Sequence, residues 1–303
     1  MAAAANVPPR RSTWQRVDGV LLLDKPVGVS SNAALQRARR LFNAAKAGHT
    51  GTLDPLASGL LPVCFGDATK FSQALLDSRK GYSAIVRFGV GTDTLDAEGV
   101  VTERGRADFD RDTVKAMLTR FVGAIEQVPP RYSALKHEGR PYYAYARADI
   151  EIERTARPVT IDALTLVDWR APDATIDVRC SKGTYVRVLA EAFGQALGTC
   201  AHLAGLRRTS SGGFFVEDAV TLEGLEALDM TARVARLLPV DAPLADLAAI
   251  TLDATDATAL SQGRRPCSSA TPGRYRAYGP SGFLGLVEAT GAELRAARLV
   301  GAA

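Results

Sequence analysis

Asp54 lies in a loop, GHTGTLDPLASG at residues 48–59, that surrounds one carboxylate with His49 and the hydroxyls of Thr50, Thr52 and Ser58. An isolated Asp-Pro is ordinary turn chemistry. Here glycines at 48, 51 and 59 also let the backbone approach a ligand closely. Such a carboxylate can act as nucleophile, as general base, or as electrostatic partner for positive charge developing on a sugar. To stay ionised while a substrate excludes water it needs a cation, and arginine is best because it keeps its proton. Arg187, in SKGTYVR, is a candidate by position.

A second constellation is PPRYSALKHEGRPYYAYAR, residues 129–147, which holds four of the eight tyrosines among Arg131, Lys136, Arg140 and Arg147 against one acid, Glu138. Cations interleaved with aromatics suit phosphate neutralisation with base stacking. A third, Asp93 with Asp96 in GTDTLDAEG, reads first as a solvated hairpin with side-chain-capped turns. Among the four cysteines no pair has the spacing of a zinc knuckle or redox dithiol, and with three histidines an all-protein metal site is not expected. Cys64 and Cys180 sit in apolar surroundings and read as buried free thiols. Phosphate-loop and dinucleotide fingerprints are absent from the sequence.

Several elements must position these groups. The run GVLLLD at 19–24 predicts a buried strand ended by Lys25-Pro26, and Ser30 or Ser31 then caps a helix to about Phe42. LLPVCFG predicts a strand, and Asp67 is expected to cap a helix to about Arg79. Alternation over 82–90 sets Tyr82, Ala84, Val86, Phe88 and Val90 on one strand face. An amphipathic helix is expected over 108–123, strands at 158–168 and 174–180, and a helix over 184–197. Residues 129–147 show neither period, so an irregular excursion is expected. From 250 onward, short segments punctuated by glycine and proline predict a small barrel.

The 303 residues suggest two domains at about 150 residues each. With 47% hydrophobic and 23% charged residues, the composition is ordinary for a folded globular chain. No run approaches a membrane span, and the first 16 residues, lacking a continuous apolar core, read as a mobile tail rather than a secretory signal. The net charge of +4 averages unlike regions: +5 over 25–53 and +3 over 129–147, against −7 over 217–256.

GHTGTLDPLASGLLPVCFGDATKF, Lys80-Gly81-Tyr82-Ser83, PPRYSALKHEGRPYYAYAR, CSKGTYVRVLA and AHLAGLRRTSSGGF together resemble the TruB-type tRNA pseudouridine synthases, in that family's order. The resemblance spans about 17–222, and the last 50 residues more loosely resemble a PUA-type RNA-binding barrel. It implies an α+β fold, with a mixed, mostly antiparallel sheet flanked by helices and a small carboxyl-terminal β-barrel. The implied domains are a catalytic one over 17–248, including an RNA-binding excursion at 129–152, and a PUA-like one over 249–303. The implied activity is isomerisation of uridine 55 in the tRNA T-loop, with the base flipped out and with neither cofactor nor metal. By motif position, Asp54 matches the essential aspartate, Arg187 its partner arginine, and Tyr82 the tyrosine that stacks on the flipped base and helps remove the C5 proton. His49, Tyr185 and Leu206 match RNA-contacting positions. Ser58, Ser210 and Ser211 depart from the family's usual residues, and the last domain is short for such a barrel. The partner implied is the T-arm of tRNA, for a cytoplasmic monomer that needs no membrane or protein partner. The rival readings are an RNA chaperone without chemistry, and a glycoside hydrolase pairing Asp54 with Asp93 or Asp96.

Overall fold

The apolar run after Gly19 leaves both strand faces needing cover, and β1 (Gly19–Lys25) takes a place inside a sheet. It pairs antiparallel with β2 (Ala57–Phe65), Gly19 opposite Phe65 and Lys25 opposite Gly59. The computed structural model describes residues 14–133 and 135–301, so most of the expected amino-terminal tail lies outside the described residues. The sheet continues with β3 (Lys80–Phe88), β4 (Gly123–Gln127), β5 (Arg157–Arg170), β6 (Asp173–Cys180), β7 (Ala201–Ser211) and β8 (Val220–Thr221). Its order is β8-β1-β2-β7-β3-β6-β5-β4, with the short strands Ala47–His49 on β2 and Phe214–Phe215 on β7. Only β1–β8 and β2–β7 run parallel. A mixed, mostly antiparallel sheet was the expectation, and it holds.

Ser30 caps α1 (Ser31–Leu41), its side chain accepting from the Ala33 N–H. Ala34, Leu35 and Ala38 of this helix and the following Phe42 pack inward, and Phe42 meets Phe65 at 4.9 Å between ring centroids. The later helices include α2 (Arg111–Thr119), the short α3 (Tyr142–Arg147) and α4 (Val186–Ala196). On another part of the sheet, α2 and α4 bury Val114, Met117, Leu118, Leu189, Ala190 and Phe193 against Ala84, Val86 and Phe88. Each large side chain buried there contributes about 1.5–3 kcal/mol.

Several expectations need correction. The alternation on β3 stops at Phe88, because Gly89 turns the chain at φ +79° and Val90 starts a separate ribbon, Val90–Thr92 with Val101–Arg104. Asp67 caps no helix. The chain instead runs through a 3-10 turn, Gly66–Phe71, and a short helix, Ser72–Asp77. Asp18 Oδ1 takes the Asp67 N–H at 2.6 Å, while the Asp67 carboxylate meets Lys70 at 2.8 Å and the Gly301 N–H at 2.6 Å. The excursion is not irregular throughout: a tiny hairpin, Lys136–His137 with Arg140–Pro141, leads into α3. Spacing i, i+3, i+4 turns Tyr142, Tyr145 and Ala146 to one buried face, leaving Tyr143 exposed.

The carboxyl-terminal barrel is also corrected. β9 (Ala249–Thr251), β10 (Gly273–Gly279), β11 (Gly282–Ala289) and β12 (Leu294–Leu299) form an open sheet in that order. Among the described residues its two edges do not pair with each other, and α5 (Ala254–Ser261) covers its apolar face by packing Ala257 and Leu260 with Ala277, Val287, Ala289 and Leu294. This sheet meets the larger one through Phe71 and Phe283, 5.5 Å between centroids, and through Lys70 Nζ, which donates to the Leu299 carbonyl at 3.0 Å. Among the described residues no helix is long and apolar enough to cross a membrane.

Candidate active site

The Asp54 loop is pinned from both sides. Ser31, released from capping α1, bonds the residue before Asp54 twice: Oγ accepts from the Leu53 N–H at 2.7 Å and donates to the Leu53 carbonyl at 2.9 Å. Thr50 N–H donates to Pro62 O at 3.0 Å, Gly28 N–H to Pro55 O at 2.8 Å, and Ala57 N–H to Asp54 O at 3.0 Å. These bonds hold the carboxylate without tying up its oxygens.

Arg187 is the second residue of α4, whose start is braced by Gln127: its Oε1 accepts from the Tyr185 N–H at 3.0 Å and its Nε2 donates to the Tyr185 carbonyl at 3.3 Å. The arginine's Nη2 meets Asp54 Oδ2 at 2.7 Å and donates to the Tyr132 carbonyl at 3.0 Å, and its Nη1 reaches Asp96 Oδ2 at 3.3 Å. The side chains of Asp96, Arg187 and Asp54 are 5%, 8% and 47% exposed. The three therefore form a charged row that starts in the interior and ends at the open carboxylate. Asp96 is itself fixed, its Oδ1 accepting from Thr94 Oγ1 at 2.6 Å and from the Glu98 N–H at 3.1 Å.

The row explains the state of Asp54. Burial pushes its carboxyl above the ordinary carboxylate range; Arg187 and, less strongly, Lys25 oppose that, and Asp96 adds to it. The result is a carboxylate more basic than a solvated one, yet aimed by a cation that keeps its proton. Lys25 lies fully buried, donating to Pro26 O at 2.8 Å and Val29 O at 2.6 Å, and burial brings its ammonium down to about 8.

The other sequence candidates are placed as follows. Tyr82, half-buried on β3, stands opposite Arg208 of β7, and burial raises its hydroxyl. Tyr185, at the start of α4, is raised by burial too. Asp54 acts electrostatically on both tyrosines. Leu206 pairs with Ala57 of β2 and Ala84 of β3 and packs with Tyr82 and Leu56 on the core beneath the site. His49 opposes Val63 at the start of the loop, and burial lowers its imidazole. The structure thus joins Asp54 to Arg187 directly and sets the tyrosines and Leu206 around them. His49 stands at the margin, with no hydrogen bond to Asp54.

Asp96 is the residue the sequence reading misjudged. Asp93 does behave as a hairpin cap, accepting from the Val100 N–H at 2.8 Å. Asp96, three residues on, is buried against Arg187 instead. The available signal was Thr92-x-Thr94-x-Asp96, since both threonines donate to Asp96, at 2.7 and 2.6 Å. The basic run at 25–53 is also less free than its total suggests. Lys25 is buried, Arg37 pairs with Glu226 at 2.7 Å, and Arg39 lies over Trp14 at 4.4 Å.

Comparison with known proteins gives this arrangement a family. Residues 39–186 match the TruB family pseudouridylate synthase amino-terminal domain, and 187–245 match the tRNA pseudouridylate synthase B carboxyl-terminal domain. The tRNA pseudouridine synthase B of Aromatoleum aromaticum is 56% identical over 278 residues, covering 91% of this chain and 90% of that protein. That of Thiobacillus denitrificans is 54% identical over 288 residues, covering 94% and 97%. The chain belongs to the TruB family of pseudouridylate synthases. It is accordingly an isomerase. Asp54 and Arg187 fall on opposite sides of the junction between the two matched regions, so the ion pair joins them. The sheet from β9 to β12 lies beyond both. At the level of fold alone, the chain is similar to a solved Cbf5-Nop10-Gar1 complex, with TM-score 0.71, 24% identity and coverage of 93% and 85%. It is likewise similar to an H/ACA RNP bound to a substrate RNA containing 2′-deoxyuridine, with TM-score 0.70, 22% identity and coverage of 94% and 85%.

Proposed function

We propose that this TruB-family enzyme converts uridine 55 in the T-loop of tRNA to pseudouridine, using Asp54 as its central group and no cofactor or metal. The observation that carries the reading is the Asp54–Arg187 pair, 2.7 Å long, at the exposed end of a row that is otherwise buried. The relatives named tRNA pseudouridine synthase B, more than half identical over most of the chain, support tRNA as substrate.

In the proposed reaction the uridine leaves the stack of its loop, at a cost of a few kcal/mol. The N1–C1′ bond breaks, the uracil turns in the site and C5 bonds to C1′; the C5 proton is then lost to solvent while N1, freed from the sugar, takes one up, so the composition is unchanged. Asp54 serves whether it adds to C1′ or takes the C2′ proton, because both routes need one basic carboxylate beside the sugar. Arg187 keeps that carboxylate aimed. Tyr82 stacks on the flipped base and stands where the C5 proton departs. His49, Tyr185 and Leu206 contact the RNA, and the excursion at 129–152 closes on the T-arm with Arg140 and Arg147, which lie over Tyr145 and Tyr143. Residues 17–248 form the catalytic domain and 249–303 an added RNA-contacting sheet, in a cytoplasmic monomer.

The test is an unmodified tRNA transcript carrying 5-tritiated uridine, followed by mapping of the product. One equivalent of tritium released, with pseudouridine at position 55 only, is expected. No release, or modification mapping elsewhere, refutes the proposal.

A further inference from the structure

Arg208 is the largest fully buried side chain, 1% exposed, and it is no part of the Asp96–Arg187–Asp54 row. A buried guanidinium needs partners for its donors. Its partners here are not carboxylates. Nε donates to the Leu60 carbonyl at 2.6 Å and Nη2 to the Gly51 carbonyl at 3.2 Å, the two ends of the segment that carries Asp54. Across the strand pair Arg208 stands directly opposite Tyr82, whose hydroxyl is the one group that favours the guanidinium's charge.

The sheet explains why this residue can touch both. In β7, Arg208 stands between Gly59 of β2 and Tyr82 of β3. Gly59, at φ +100°, lets the backbones close up, since a Cβ there would overlap the Arg208 carbonyl oxygen. Gly51, at φ +105°, comes so near that a Cβ would lie 3.3 Å from Arg208 Nη1. Two of the three glycines in the loop are thus accounted for by one residue, Gly59 by its backbone and Gly51 by its side chain.

We propose that Arg208 is a positioning residue: by holding the Gly51 and Leu60 carbonyls from the strand position directly opposite Tyr82, it sets the Asp54 loop and the Tyr82 ring in one fixed relation. The proposal rests on Tyr82 having the role given above. Without Arg208, the loop keeps its Ser31 bonds, but the ring loses its reference to the carboxylate. Lysine retains the charge but, as a point donor, lacks the planar fork that serves both carbonyls at once.

The test uses the full chain with Arg208→Lys and Arg208→Gln, and reads tritium release, RNA affinity and the fluorine resonance of 3-fluorotyrosine placed at position 82. Expected for both variants is a kcat at least tenfold lower, with KM and RNA affinity changed less than threefold. The fluorine resonance should move in both, and its titration midpoint should rise in Arg208→Gln, which also removes the charge. The proposal is overturned by parental kcat, by an equal loss of RNA binding, by an unmoved fluorine resonance, or by failure of both variants to fold, which would make Arg208 a residue of the fold alone. Tyr82→Phe runs alongside. Should it turn over at the parental rate, the Tyr82 role fails, while impaired Arg208 variants would then support the loop contact by itself.

Discussion

Replacing Asp96 by asparagine removes one charge from the interior end of the row and leaves the shape nearly unchanged. The new side chain can still accept from Thr94 Oγ1 and the Glu98 N–H through its amide oxygen. That orientation turns the amide NH2 toward Arg187 Nη1, a donor against a donor, where an oxygen stood 3.3 Å away. Breaking a buried ion pair costs about 3–5 kcal/mol, but Arg187 keeps Asp54 and the Tyr132 carbonyl. A net loss of roughly 2–3 kcal/mol is therefore expected, equivalent to a melting temperature about 4–9 °C lower. The kinetic effect is separate. Asp96 is one of the groups holding Asp54 basic, and its loss leaves Arg187 free to turn wholly onto Asp54. A fall in the single-turnover rate of roughly 10²-fold is expected, about 2.7 kcal/mol at the barrier. The acid limb of the rate profile should move to lower pH. Tritium release on T-arm RNA across the acid and neutral range, with thermal unfolding beside it, checks both. A variant that melts lower but reacts within threefold of the parent, with an unmoved acid limb, refutes the idea that Asp96 sets the state of Asp54.

Other outcomes follow from the same geometry. Because the folded state holds Asp54 above its unfolded value, its contribution to stability is present at low pH and lost as pH rises through the folded value; Asp54→Asn should therefore melt no lower than the parent at pH 7. Ser31→Ala orphans the buried Leu53 N–H and carbonyl, costing about 1–3 kcal/mol in chemical denaturation and lowering kcat. Gly59→Ala drives a methyl into the Arg208 backbone at a positive φ, so a loss of about 3 kcal/mol or more is expected on thermal unfolding. Lys25 falls to about 8 when folded, so the parent gains stability as pH rises from about 8 toward the unfolded value. The stability gap between Lys25→Met and the parent, followed by melting from neutral pH to about 10, should change in the parent's favour over that window.

What the sequence made legible was governed by local rules. The alternation of Ala84, Val86 and Phe88 announced a half-covered strand, and the spacing of Ala34, Leu35 and Ala38 announced α1. Asp54 was legible because glycine, hydroxyl and proline chemistry crowd around it; an ionised carboxylate called for a lasting cation, and it was the family likeness of CSKGTYVRVLA that singled out Arg187 among the arginines. Asp96 was not, since its partner is 91 residues away and its own surroundings read equally as a capped turn. Arg208 was hidden in an Arg-Arg pair whose two members part company: Arg207 pairs with Asp24 at 2.7 Å near the surface, while Arg208 turns inside. The barrel expectation failed because strand count does not determine closure, and one helix, α5, can cover the face that closure would have buried.

The most direct measurement is Asp54→Asn, assayed in parallel for tritium release from 5-tritiated-uridine tRNA and for tRNA affinity. The expected result is release at least 10³-fold slower with affinity within threefold of the parent. Release at a rate near that of the parent, from a variant that binds tRNA normally, contradicts the assignment of Asp54 as the central group.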